Sequence, residues 1–586
     1  MRHLFGCAII LAAMQAVCCR AESAVDPSIP SPKPVISACV FPDVGRVEFE
    51  PPPTPGLTIR YTIDGTMPNE KSPACSNYRA AISLTLRAAY FSADGKYSAP
   101  VSVDCASYQD ENLPDLEPGV FATTAEGTRE APLVISTVPG AILKKAPDFD
   151  SDAFKGKGPF AVQFDAYIKI PKDGAYTFSI PGAGQKTLRI AGARVIGNEG
   201  LSPESGSVQL KAGTYPIQVL FVETGDTAAP VVSIEGPELA KQKIPTSMLF
   251  RSTKMQPLVG LSVSTNLPLF GKKYAPQLAL DRSAGTFFFS SRGTKESDSF
   301  NVTFAEPFAL TEVEIISGKP DGDCHIEKAA LEISEDGTKF TEAAKFTAGT
   351  CRATFEGAGK TVKALRIHFG EQGSFVAIRE INLNSHTPAL TGKPSAAINV
   401  DYSETPDLAE WALRAQKDAE EQFPIIAERL HSDGFVPPRQ IMMFFKKDMK
   451  GIAHTIGARM YYAEGWIKAN PKDHGTVIHE LTHVIQQYHN APGWLTEGVA
   501  DYIRWWNWEP AANRGRINPR SAKYTNGYQD AAAFLVWIEK TYDKELVYKM
   551  NKAMREGAYK DSLFVEYTGK DIPTLWKEFL DSFDKK

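Results

Sequence analysis

The chain has 586 residues, 43% of them hydrophobic and 23% charged, which excludes wholesale disorder and a collagen-like repeat. At about 150 residues per domain, this length predicts roughly four domains. Lys and Arg number 64 against 69 Asp and Glu, a net charge of -5; that excludes a strongly basic nucleic-acid binder and gives no special attraction to anionic membranes. All eight tryptophans follow residue 400: Trp411, Trp466, Trp494, Trp505, Trp506, Trp508, Trp537 and Trp576. The first two-thirds is rich in Pro, Gly, Ser and Thr, so the asymmetry points to different kinds of domain and not to one repeated unit.

Residues 1–23 read as a secretory signal peptide. Arg2 and His3 make a short basic start, Leu4 to Val17 is almost wholly apolar, and small residues around Ala21 to Ala24 offer a cleavage site. The apolar stretch is too short for a good membrane span, and no later run is long enough for one, so no transmembrane segment is expected. The expected location is secreted, periplasmic or at the cell surface. A lipid anchor on Cys18 or Cys19 is the alternative, and Gln15 fits it poorly. Five cysteines remain after cleavage: Cys39, Cys75, Cys105, Cys324 and Cys351. Export permits disulfides. The first three can supply one bridge and one spare thiol, and Cys324 can pair with Cys351, but spacing does not fix connectivity and suits no zinc site.

Three strand-rich regions follow. In residues 30–107, Leu57 to Ile63 alternates at period two and closes on an Asp64-Gly65 turn, and a second run from Ile82 to Phe91 ends at Asp94-Gly95. The stretches YTIDGTMPNEKSP and LTLRAAYFSADGKYS resemble the small sandwich appended to chitobiases and hexosaminidases. In residues 115–252, DGAYTFSI, LRIAGARVI, VQLKAGTYPIQVLFVE and IPTSMLF resemble the protective-antigen-type β-sandwich. Members that bind sugar through calcium carry an acidic pair just before the equivalent of Leu188-Arg189-Ile190; here that place reads Pro181-Gly182-Ala183-Gly184-Gln185. In residues 256–388, APQLALDRSAGTFFFSS, DSFNVTFAEPFALTEVEIISG and LEISEDGTKF resemble a discoidin (coagulation factor type C) jelly roll. Such sandwiches often bind glycans or surfaces with their loops, so a glycan ligand for at least one module is expected beside a plain spacing role. With no Trp here, Tyr and Phe would have to supply any sugar-stacking ring.

Residues 396–586 change character. Leu408, Trp411, Ala412, Ala415, Ala419, Phe423, Ile426 and Leu430 recur at helical spacing. Gln440 to Phe445 and Arg459 to Tyr462 read as strands. Helices are predicted over Gly475 to Tyr488, Trp494 to Trp508 and Gln529 to Tyr542. Within the first of these lies His479-Glu480-Leu481-Thr482-His483. Residues four apart share one helix face, so the imidazoles of His479 and His483 can hold one zinc ion, with Glu480 beside the first ligand as general base.

A catalytic zinc needs a third protein ligand and an open position. Glu497, in Trp494-Leu495-Thr496-Glu497-Gly498, lies on the next helix, after a turn at Asn490-Ala491-Pro492-Gly493. Asp501, one turn further, is placed to accept the free N–H of a ligand histidine. His489 is the rival third ligand, six residues after His483, although the chain turn that spacing wants calls for Gly where Gln486 stands. Tyr528 is the candidate oxyanion donor, with Tyr461 and Tyr462 as alternatives; His474 and His454 read most simply as surface or structural residues.

HELTHVIQQ, APGWLTEGVADYIRWW, NGYQDAAAFLVWIEK, MNKAMREG and DIPTLWKEFL occur in that order and resemble the basic secretory protein family, zinc peptidases of plants and bacteria. The resemblance spans residues 396–583. It implies a gluzincin-like fold with His479, His483 and Glu497 as zinc ligands and Glu480 as base. The expected architecture is therefore multidomain: three all-β sandwich modules followed by an α-rich α+β zincin-like metallopeptidase domain. The expected function is a secreted zinc metallopeptidase acting on protein or glycoprotein at a glycan-rich surface. Two rivals stand beside it: a surface- or glycan-binding protein with an inactive peptidase-like domain, and a glycan hydrolase. The latter lacks an evident pair of catalytic carboxylates in the β modules.

Overall fold

The computed structural model describes residues 25–583, apart from 75, 110–114, 129–133, 151–158, 183, 224–230, 254–256, 348, 385–394, 434 and 511–516. The expected signal peptide and Cys75 lie outside the described residues. The remainder is multidomain, with β-sandwich sheets followed by an α-rich C-terminal region.

Alternation drives the β part. Thr58–Thr62 turns Ile59 and Tyr61 inward and its other residues partly outward, the two-residue period of a half-buried strand. One eight-stranded sheet joins the first two β regions. Ala38–Phe41 pairs in parallel with Val101–Ser107 on one side and with Ser205–Leu210 on the other. The opposing sheet is centred on Phe160–Ile170 and Gly213–Glu223, antiparallel along their whole lengths, over a core that includes Phe164, Ile168, Tyr176 and Phe178. The third region packs a five-stranded sheet on a four-stranded one, with Phe288, Phe300, Ile315 and Ile367 between them.

Cys39, Cys105, Cys324 and Cys351 are free thiols. The pairing open to Cys324 and Cys351 is not made, because the two side chains serve different clusters. Cys351 is in the sandwich core, whereas Cys324 packs against Tyr274, Phe287 and Phe289. Cys39 and Cys105 are register partners on adjacent parallel strands.

The C-terminal region is a four-stranded sheet with helices on one face. Its strands are β1 (Ala397–Asp401), β2 (Gln440–Lys446), β3 (Ala453–Ile456) and β4 (Arg459–Ala463), in spatial order β1-β2-β4-β3. The first three neighbours in that order run parallel, and β3 returns antiparallel to form an edge. The helices are α1 (Ala409–Arg429), α2 (Glu464–Ala469), α3 (Gly475–Gln486), α4 (Gly493–Tyr502), α5 (Tyr528–Thr541), α6 (Leu546–Arg555), α7 (Ser562–Thr568) and α8 (Ile572–Asp581). Ile441, Met443, Phe445, Met460 and Tyr462 face Val477, Ile478, Leu481 and Val484 of α3 in one core, so the histidine-bearing helix lies directly on the sheet.

The predicted helix from Trp494 to Trp508 changes at Tyr502. Ile503–Trp508 continues as a wider π-helical turn, in which Trp506 and Trp508 both pack against the core. The sheet's other face is covered by the β modules. Asn399 and Gln440 bond the backbone of Arg79 and Ala81, and Arg459 pairs with Asp321 at 3.0 Å. Among the described residues, no helix is long and apolar enough to cross a membrane.

Candidate metal centre

Helix α3 is apolar on the faces that meet the sheet, which leaves one stripe for chemistry. His479 and His483 are four residues apart on that stripe, and their Nε2 atoms lie 3.1 Å apart. The chain then turns through residues 487–492 and returns as α4, which brings Glu497 back over them. Glu497 Oε2 lies 3.2 Å from His479 Nε2 and 3.5 Å from His483 Nε2. These three residues offer ligand atoms within 4.8 Å of one another. Close packing behind Glu497 depends on two glycines. A Cβ on Gly498 would stand 2.7 Å from the Ala531 methyl of α5, and one on Gly527 (φ +73°) would press on Glu497 at 3.3 Å.

The outward nitrogens are already committed. His479 Nδ1 donates to Asp501 Oδ1 at 2.8 Å, and His483 Nδ1 donates to Gln486 Oε1 at 2.8 Å. With Nδ1 donating outward in both rings, both Nε2 atoms point inward toward Glu497. Two imidazole nitrogens and a carboxylate oxygen converging on one point suit a positive charge, a proton on the ring or a metal ion in its place, and this N,N,O donor set is of the kind that holds zinc. The electrostatics state the same demand. Burial works against an imidazolium at His479, yet hydrogen bonds to Asp501 and Glu497 outweigh it and push its pKa up to about 9. Burial likewise opposes charge on Glu497, and hydrogen bonds from His479 and His483 overcome it, holding the carboxyl at about 2.

Glu480 is buried, 5% exposed, with its carboxylate turned toward the edge strand. Thr455 Oγ1 on β3 donates to Glu480 Oε2 at 2.7 Å and lies 3.1 Å from the Glu480 carbonyl oxygen. Tyr528 opens α5 in the left-handed region at φ +48°. Its exposed ring lies nearly parallel to that of His479, centroids 6.0 Å apart. The negative charge of Glu497, then burial, raise its phenol pKa.

The other sequence candidates fall elsewhere. His489 stands outside the triad, its backbone N–H bonded to the Met554 carbonyl. His474 precedes α3, stacks on Trp411 at 4.7 Å and pairs with Asp418 at 2.9 Å. His454 stacks on Tyr461, which stacks in turn on Phe444, along the sheet face opposite α3. Tyr462 is fully buried, and burial holds its phenol well above the ordinary value. Sequence reasoning missed Thr455 and the contact of Gln486. Gln486 carried a signal, since residues three apart on a helix are neighbours. Thr455 carried none, because only strand pairing brings it to Glu480.

A sheet with an antiparallel edge, an HExxH helix on its inner face and a helix that brings Glu497 over both histidines make up a domain whose triad is compatible with a metal ion. Residues 408–579 match the family described as "peptidase of plants and bacteria". Residues 148–246 match the PA14 domain, the protective-antigen-type sandwich. No curated protein matches the chain. Among solved structures, the chain is similar to a carbohydrate-binding module of a family 31 glycoside hydrolase from Clostridium perfringens, at 16% identity over 21% of this chain and 94% of that one, TM-score 0.19. A chitosan-binding module from Paenibacillus shares 14% identity over 21% of this chain and 95% of its own, TM-score 0.19. An anti-sigma factor domain-containing protein from Clostridium clariflavum shares 15% over 46% of this chain and 98% of its own, TM-score 0.19. At these values the likenesses identify no shared ligand or activity.

Proposed function

We propose that this protein is an exported, zinc-dependent metallopeptidase that hydrolyses peptide bonds in protein or glycoprotein substrates at a glycan-rich surface. The observation that carries the reading is the convergence of His479, His483 and Glu497 within 4.8 Å, with both outer imidazole nitrogens donating to buried acceptors. These three residues would hold the ion. When bound, zinc supplies Lewis acidity, which activates water and polarises a carbonyl.

The chain's own residues do the remainder. Glu480 takes a proton from the attacking water as a C–O bond forms, then delivers it to the amine nitrogen as the C–N bond breaks. Thr455 occupies one oxygen of that carboxylate and leaves the other for the proton. Tyr528 donates its hydroxyl to the carbonyl oxygen as negative charge builds there. Strand β3 ends the sheet, so its outer edge offers backbone groups to an extended polypeptide, as sheet-edge peptide recognition requires. The match of a PA14 domain and the attached sandwiches support a role in holding the enzyme at a surface. Phe270, 48% exposed in the segment after the first strand of the third β region, Leu261–Thr265, is a ring able to pack on a pyranose face.

The experiment is metal analysis and peptide-library digestion of the full chain, wild type and Glu480→Gln, with a glycan array in parallel. Stoichiometric zinc in both, with cleavage by the wild type alone, is expected. Equal cleavage by both would remove Glu480 as base. Absence of zinc would favour a surface-binding protein with an inactive peptidase-like domain.

A further inference from the structure

Gln486 ends the helix that carries both histidines, and its side chain spans the two metal-facing helices. It is 2% exposed. Its Nε2 donates to the Thr496 carbonyl at 2.9 Å, and its Oε1 lies 2.8 Å from His483 Nδ1. A carbonyl can only accept, so the Thr496 bond fixes which end of the amide is nitrogen. The amide oxygen must then face His483, and an amide oxygen can only accept. His483 is thereby held with its proton on Nδ1 and its lone pair on Nε2, toward Glu497. Because Thr496 immediately precedes Glu497, the same amide ties the position of α4 to the rotation of the His483 ring.

The backbone around Gln486 is fixed as well. Arg555 of α6, buried, donates to the Gln486 carbonyl at 3.1 Å, to Ile485 at 3.0 Å and to Leu430 at 2.8 Å. A cation at these last-turn carbonyls suits the helix C-terminus. The following residue, Gln487, takes the left-handed conformation at φ +44° that ends α3. Gln486 therefore has little freedom to turn away from His483.

From this geometry we propose that Gln486 is a positioning residue for the metal centre. It sets the tautomer and ring orientation of His483, as Asp501 does for His479, and couples the two helices that supply the ligands. The inference rests on the metal-centre reading above. Partners of this kind commonly change metal affinity by about 10- to 100-fold when removed.

The test uses full-length protein stripped of metal, with zinc affinity measured by chelator competition and the visible spectrum recorded after cobalt(II) loading. Gln486→Leu is expected to bind zinc about 10- to 100-fold more weakly and to alter the cobalt spectrum. Gln486→Glu, which keeps an acceptor facing His483, is expected to bind within a few-fold of wild type. A role in packing alone predicts the reverse order, since leucine suits a buried site and a carboxylate beside the Thr496 carbonyl does not. Gln486→Met supplies the same readout if the leucine variant fails to fold. Zinc affinity and a cobalt spectrum unchanged in Gln486→Leu or Gln486→Met would overturn the proposal. A wild type that binds neither metal would instead overturn the metal-centre reading on which it rests.

Discussion

Asn399 holds Arg79 by its backbone. The Asn399 side-chain oxygen accepts from the Arg79 N–H at 2.9 Å, and its amide nitrogen donates to the Arg79 carbonyl at 2.9 Å. Asn399 lies on β1 of the peptidase-like domain, 1% exposed, and Arg79 lies on a strand of the first β region, Asn77–Ala80. Gln440, on the neighbouring strand β2, repeats the pattern with the Arg79 carbonyl and the Ala81 N–H, each at 3.0 Å. Two side-chain amides thus stand in for a missing strand, and the peptidase-like domain is seated on the β modules through directional, partly buried bonds.

Removing one of those amides tests the seating. Asn399→Ala removes both side-chain hydrogen bonds to the Arg79 backbone, each contributing about 0.5–1.5 kcal/mol. Calorimetry should register a lower melting temperature for the C-terminal domain or a split between its transition and that of the β modules. Zinc content should not change, since the Asn399 side chain points to the sheet face opposite α3 and touches no proposed ligand. An unaltered unfolding profile would mean that the contact contributes nothing.

Protons should compete with metal at His479. Its pKa in the metal-free protein is raised from 6.5 to about 9, so below that pH the ring must lose a proton before Nε2 can serve as a ligand. Zinc affinity should therefore rise about tenfold per pH unit up to pH 9 and flatten above it, with about one proton released per ion bound at pH 7.5. Titration calorimetry in buffers of different ionisation enthalpy counts that proton. A flat affinity between pH 7 and 9 would contradict the hydrogen-bonded arrangement of His479 with Asp501 and Glu497.

The parts of the centre that share a helix, or an adjacent pair of helices, were legible in the residue order. His479 and His483 follow from the helical period, and Glu497 and Asp501 from a short turn and the same period. The strands from Gln440 and Arg459 were legible from their apolar runs. Ala453–Ile456 was not: its sequence, AHTI, is half-exposed with no apolar alternation, so it becomes a strand only by pairing with β4. The parallel join of Ala38–Phe41 to Ser205–Leu210 links segments far apart in sequence, and no local pattern announces such a pairing. The first two β regions, read separately as sandwiches, therefore turn out to share a sheet.

The edge-strand threonine provides a test of how the base is held. In Thr455→Val the hydroxyl donated to Glu480 Oε2 at 2.7 Å is lost at nearly constant volume. A hydrogen bond to a charged group contributes about 1.5–3 kcal/mol; if the transition state feels most of it, kcat falls by roughly ten- to a hundredfold. KM and zinc content should stay near wild-type values, because Thr455 touches no proposed ligand. A variant with full kcat would show that Glu480 is oriented by its burial alone.

Tyr528 separates a chemical role from a packing role more cleanly than any other residue of the centre. Its side chain is 54% exposed, and its backbone already takes φ +48°, a conformation that phenylalanine would inherit unchanged. Tyr528→Phe should therefore leave stability within about 0.5 kcal/mol of wild type and preserve the ring's parallel placement over His479. Loss of a hydroxyl that stabilises developing charge should lower kcat by about 10²- to 10³-fold, with little change in KM. If the hydroxyl instead only binds the ground-state carbonyl, KM rises and kcat holds, and steady-state kinetics on one peptide substrate distinguish the two. Unchanged values of both would pass the oxyanion role to another donor. Tyr461 is poorly placed to take it, since it is stacked between Phe444 and His454. Tyr462 is no better placed, because its hydroxyl is buried in the core beside the Met460 sulfur.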